Sequence, residues 1–272
     1  MTSWAGAAAL GAGLLIAAAI PAPAQTTAEL VTDRPDETES ARTVPRGSTQ
    51  MEFGARWLVE RSSDARLGIV ELPGTLVRFG AWDRVELRLA WGGWVGTSID
   101  VSRQRHWADG FADPEVGVKW AIVPPGEGGT EVALLAHLTL PAGSEVVGAP
   151  AVDPSARLTV AHSLGERASL GWNVGYEARS IDGGTNAGTR RLGRWIYSAS
   201  LGFDLSPRWG AFVESFGDLP ASDPGPAVHA LDGGVTCLIA SRVQLDASVG
   251  VGLSDEAPDR FVGIGLSFRL PQ

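Results

Sequence analysis

Apolar and polar residues alternate along most of the chain, the period of a β-strand whose two faces meet different surroundings. Across 168–179, Leu170, Trp172, Val174, Tyr176 and Ala178 share one face, opposed by Ser169, Gly171, Asn173, Gly175, Glu177 and Arg179. The pattern returns at 243–253 and at 260–269, where Val262, Ile264, Leu266 and Phe268 oppose Gly263, Gly265, Ser267 and Arg269. Extending this template predicts twelve strands: 49–61, 67–79, 85–94, 115–122, 131–140, 155–163, 168–179, 194–205, 209–217, 229–239, 243–253 and 260–269. Short gaps (80–84, 123–130, 164–167, 206–208, 240–242) alternate with longer ones (95–114, 141–154, 180–193, 218–228), while 62–66 and 254–259 on the longer side are brief. Short turns on one rim and long loops on the other are the layout of an outer-membrane barrel. Of 17 prolines, only Pro73 falls inside a predicted strand, so a bulge or a break is expected there.

Alternation alone does not distinguish a membrane barrel from a soluble one; the polar face decides. It carries Gly, Ser and Thr with single charges of both signs on neighbouring strands: Glu52, Arg56, Arg78, Glu86, Arg88, Lys119, Arg157, Glu177, Asp204, Glu214, Asp232, Asp246 and Arg269, together with Glu115, His137, Asn173 and Gln244. A wet lumen braced by crossed ion pairs calls for that pattern. These residues are the expected lumen lining and the candidates for selectivity. Trp57, Trp82, Trp91, Trp120, Trp172, Trp195 and Trp209 lie mostly near strand ends, as in interfacial girdles. The fold expected is all-β: a closed antiparallel up-and-down transmembrane barrel of about twelve strands.

Composition removes other classes. The chain of 272 residues is 44% hydrophobic and 19% charged, but its apolar residues are too dispersed for a polytopic helical membrane protein. A net charge of −9 without clustered Lys and Arg argues against a nucleic-acid partner. The single cysteine, Cys237, can form neither an intramolecular disulfide nor a multi-thiolate metal site. Residues 4–20 are small and apolar, and Ala22-Pro23-Ala24 supplies a signal-peptidase pattern before Gln25. The expected organisation is an export signal at 1–24, an extended lead-in or partial plug at 25–46, and a barrel at 47–272.

The run Thr32-Asp33-Arg34-Pro35-Asp36-Glu37-Thr38-Glu39-Ser40, then Val44-Pro45-Arg46-Gly47 and Gln50-Met51-Glu52-Phe53-Gly54, resembles the opening of outer-membrane transporters grouped under the meta-pathway of phenol degradation. Arg78-Phe79-Gly80, Val85-Glu86-Leu87-Arg88, Gly117-Val118-Lys119-Trp120, Leu138 to Gly143 and Gly250 to Asp259 are similar to later signatures, so the resemblance covers about 31–270. It implies an outer-membrane barrel that passes small solutes, aromatic or hydrophobic ones among them. The implied partners are the lipid bilayer, lipopolysaccharide and the outer-membrane assembly machinery.

HExxH, GxSxG, P-loop and complete GxGxxG motifs do not occur, and no cofactor is expected. His106, His137, His162 and His229 lie on separate segments, unlike a metal-ligand set. A hydrolase on the barrel wall would use His162 beside Ser163 or His137 near Thr139, but adjacent strand residues point to opposite faces. A passive channel is therefore the leading expectation. A non-transporting structural or interaction barrel comes second and a hydrolase third. Asp33, Arg34, Asp36, Glu37 and Glu39 leave three readings open: a cation site at the mouth, a plug paired to Arg56, Arg78 and Arg88, or a solvated tether. Arg103, Arg105, His106 and Trp107, in the longest loop, would constrict the pore, meet lipopolysaccharide phosphates or stay solvated.

Overall fold

The computed structural model describes residues 29–62, 64–102, 104–126, 128–183, 188–221 and 225–271. The export signal expected at 1–24, and Arg103, lie outside the described residues. Those described form fourteen strands: β1 (Thr49–Arg61), β2 (Ala65–Trp82), β3 (Val85–Trp91), β4 (Trp94–Val101), β5 (Gln104–Phe111), β6 (Pro114–Val123), β7 (Thr130–Thr139), β8 (Asp153–Ser163), β9 (Ala168–Asp182), β10 (Thr189–Asp204), β11 (Trp209–Pro220), β12 (Val228–Ala240), β13 (Val243–Gly252) and β14 (Arg260–Arg269). Twelve close in chain order through β1-β2-β3-β6-β7 and onward to β14, which pairs back to β1. Closure leaves none of these twelve with an open edge, the condition for β-structure in lipid.

The barrel is inside-out relative to a soluble protein. Val249 and Ile264 are each 63% exposed and Trp82 60%, whereas Glu52, Glu86 and Lys119 are 0% exposed. An apolar surface of that extent suits hydrocarbon and not water. Register explains it. Glu52 opposes Ser267, Gly54 opposes Gly265 and Arg56 opposes Gly263, so one face carries small and charged residues into the lumen while Trp57, Val262 and Ile264 point outward. Trp82, Trp120 and Trp209 are exposed toward the short-turn rim, and Trp91 and Trp195 toward the long-loop rim, forming two aromatic belts.

Pro73 marks the expected irregularity. Gly54 of β1 opposes Gly74 but Arg56 opposes Glu71, which leaves β2 one residue too many at Leu72-Pro73. The extra residue inverts the alternation: Leu76 and Arg78 face the lumen below it, Ile69 and Glu71 above. Here β2 also changes partner, from β3 (75–82) to β4 (65–72). Proline, without an N–H, is tolerated at such a junction.

The predicted loop at 95–114 is instead mostly strand. β4 and β5 form a hairpin that extends the wall beyond β3 and β6 on the long-loop side. Likewise, the predicted strand 85–94 is divided at Gly92-Gly93. Gly93 has φ 79°, and a Cβ there would lie 2.5 Å from the Pro73 carbonyl oxygen, so only glycine lets the chain step past the bulge. β4 alternates, with Val95, Thr97, Ile99 and Val101 opposing Gly96, Ser98 and Asp100, but its partner β5 has no continuous apolar face: Arg105, Trp107, Asp109 and Phe111 oppose Gln104, His106, Ala108 and Gly110. The outer edge of β5 is met by the loop at 140–152: Ser144 Oγ accepts from the Phe111 amide at 2.9 Å. Asp113 secures that loop, its carboxylate accepting from the amides of Ala142 (3.0 Å), Gly143 (2.6 Å) and Ala149 (2.6 Å).

Candidate functional site: the lumen and its plug

Residues 29–48 contain no strand or helix of their own. They enter at the short-turn rim, rise into the barrel as far as Asp36–Glu39 and return to a bridge between Arg46 and Gly80 before β1. Two prolines prevent a helix, so the segment's backbone N–H groups need partners from the wall. Wall side chains supply them. Glu52 accepts from the amides of Asp33 (3.0 Å) and Arg34 (3.1 Å), Glu214 from Glu37 (2.7 Å), Asn173 from Glu39 (2.7 Å) and Glu86 from Val44 (2.8 Å).

Ion pairs complete the docking. Asp33 meets Arg88 Nη1 at 2.6 Å, Lys119 Nζ at 2.9 Å and Arg78 Nη1 at 3.2 Å, all buried. Glu39 pairs with Arg88 at 2.8 Å, Glu37 with Arg56 at 2.9 Å, and Arg42 with Glu131 at 2.8 Å. Arg34 lies 3.6 Å from Asp246 and donates to the Ile264 carbonyl at 3.2 Å. The wall cluster alone holds three cations (Arg78, Arg88, Lys119) against two carboxylates (Glu52, Glu86), so it is balanced only by carboxylates from the segment. Burial alone would raise the Asp33 carboxyl, but Arg78, Lys119 and Arg88 outweigh it and hold it well below the usual carboxylate range. Asp36 has no comparable cation; burial and the nearby Glu214 push its carboxyl well above that range.

The remaining candidates spread along the lumen. Arg157, Glu177 and Asp232 line cavities on the long-loop side of the segment. Arg269 donates to Gln50 at 2.9 Å near the short-turn rim. Asp204 is displaced from the lining expected of it: β10 ends there, leaving it exposed at the short-turn mouth beside Arg167. Arg105, His106 and Trp107 stand on β5 at the rim and not in the pore. Gln50 and Thr38, from the resemblance runs, also join the docking network, as do Glu131 and Ser198, which the sequence pattern did not mark as lumen candidates. Glu131 sits on a lumen-parity position of β7, a signal that was available.

The hydrolase arrangement has no geometric support. His162 faces outward, near Thr130 Oγ1 (3.1 Å) and receiving a hydrogen bond from Trp172 Nε1 (3.3 Å), while adjacent Ser163 points to the other face. His137 packs over Gly117 in the lumen. Among the described residues no group of three or more His, Cys, Asp or Glu side chains could hold a metal ion.

The family described as "Putative MetA-pathway of phenol degradation" matches the chain over residues 32–270. The chain belongs to that family. Its fold is similar to the crystal structure of the COG4313 outer membrane channel from Pseudomonas putida F1, with TM-score 0.65 and 14% identity over 87% of this chain and 99% of that one. It is also similar to the translocator domain of autotransporter NalP from Neisseria meningitidis, with TM-score 0.52 and 7% identity over 82% of this chain and 88% of that one. No curated protein matches in sequence. The fold is that of an outer-membrane β-barrel.

Proposed function

We propose that the barrel is a passive channel for small solutes across the outer membrane and that the segment 29–48 is its restriction. The observation that carries this reading is a closed, charge-lined lumen holding a segment of the same chain, with cavities on both sides: about 230–320 Å³ each toward the long loops, and about 240 and 520 Å³ toward the short turns. A barrel serving only as a scaffold needs no such spaces. The chain supplies no energy source, so passage is set by pore width and lumen charge. The family's description makes phenolic compounds the first solutes to try. The exposed arginines Arg61, Arg66 and Arg260, outward at the long-loop rim, suit lipopolysaccharide phosphates and orient that rim to the cell exterior. Residues 1–24 serve as the cleaved export signal. Swelling of proteoliposomes in a panel of phenols, sugars and amino acids tests the proposal: some of these solutes enter faster than into protein-free liposomes. Equal rates for every solute would refute it.

A further inference from the structure

Among the basic residues of the lumen, Arg157 stands apart. Arg34, Arg42, Arg56, Arg78, Arg88, Lys119, Arg179 and Arg194 each face a carboxylate. Arg157 has no hydrogen bond or ion pair among the described residues, and its Nε is buried without a partner. Its side chain lines all three cavities on the long-loop side of the plug, of about 260, 230 and 320 Å³. The arm is held there by shape. Gly175 opposes Arg157 across β8 and β9, and a Cβ on Gly175 would come within 2.7 Å of the arginine Cγ.

Arg157 is half-buried, with its Nε shielded from solvent and unpaired; leaving a shielded donor unpaired is costly, and the guanidinium's planar fork of donors matches a carboxylate. Four of the carboxylates nearby are already engaged by other cations: Glu37 by Arg56, Glu39 by Arg88, Glu177 and Asp218 by Arg179. Glu115 and Asp232 line the same cavities and disfavour a ligand with more than one negative charge. The apolar part of the ligand has its own surface. Half-buried Phe216 lines one of the cavities that Arg157 reaches, backed edge to face by Phe261 with centroids 5.9 Å apart; Phe261 itself is 3% exposed, with the Arg56 guanidinium 4.6 Å over its ring. One cation beside an accessible phenyl ring is the recognition chemistry of an aromatic monocarboxylate.

We propose that the outer vestibule, above the plug, binds an aromatic monocarboxylate on Arg157 against Phe216. The proposal rests on the channel reading, in that the vestibule is then the entry side of the pore. Binding is nevertheless measurable without transport. Calorimetric titration of the full chain in detergent micelles, with benzoate, neutral benzamide and acetate as probes, tests it. Benzoate binds more tightly than either of the others. Arg157→Gln weakens benzoate about tenfold or more, the cost of losing a charge-assisted hydrogen-bonded pair, and leaves benzamide unchanged. Gly175→Leu, which keeps the charge but displaces the arm, weakens benzoate in the same direction. Heat-modifiable migration on electrophoresis verifies that each variant is a folded barrel. Equal affinity for benzoate and benzamide, or benzoate binding indifferent to Arg157→Gln, overturns the proposal. Arg157-dependent binding by a protein that admits no solute to liposomes supports the site and refutes the channel.

Discussion

At the scale of single residues, Asp33 bears the most. It brings one carboxylate to three buried cations, and removing one partner from such a cluster costs about 3–5 kcal/mol because the others stay buried and unbalanced. Asp33→Asn therefore loosens the segment, and the expected outcome is a larger mean single-channel conductance with the barrel still folded. Acid affects this residue late. A carboxyl held low in the folded state contributes stability that is complete above its unfolded value of about 4 and is lost only as the pH falls through the lower folded value. Acidification from pH 7 to 5 thus leaves the Asp33 contacts intact. Asp36 has the opposite sign. Its raised carboxyl favours docking while protonated, and that contribution is lost as the pH rises through the raised value. Conductance recorded against pH should increase on the alkaline side, and Asp36→Asn should flatten that limb. The charges themselves were legible in the sequence. Their partners were not, because Asp33 meets Arg88 and Lys119 across 55 and 86 residues of chain, and only closure of the barrel brings those strands round.

At the scale of elements, the period-2 pattern located the twelve barrel strands because lipid and lumen impose opposite chemistry on alternate residues. Ile264, at mid-strand in β14 and 63% exposed, shows how strict that division is: Ile264→Arg should destabilise the barrel by about 2–4 kcal/mol, read from urea unfolding in lipid vesicles. The β4–β5 hairpin escaped the pattern because it rises beyond the barrel proper, where the faces of β5, Arg105-Trp107-Asp109-Phe111 and Gln104-His106-Ala108-Gly110, need not divide into apolar and polar. Pro73 was legible as an irregularity, since proline cannot join a ladder, but that it inverts the faces of β2 depends on the register with β1. Asp113 was invisible in sequence. Its role is to accept three amides from a loop some thirty residues away, and Asp113→Ala should free 140–152 and speed its cleavage by added protease in intact cells or proteoliposomes.

For the whole molecule, a twelve-stranded barrel falls between the eight strands that side chains fill and the sixteen or more that leave a wide aqueous pore. The intermediate lumen is large enough to admit the chain's own N-terminal segment and leave spaces above and below it. The wall's lumen face, with Glu52, Asn173 and Glu214 presented to backbone amides, is built to hold that segment. On the proposed reading, residues 29–48 restrict a pore that the barrel would otherwise leave open. Planar-bilayer recording of the full barrel beside a variant lacking 29–44 tests it most directly. Small unitary currents from the intact protein and several-fold larger ones from the variant are the predicted result. Indistinguishable currents from two equally folded proteins, or none from either, would contradict it.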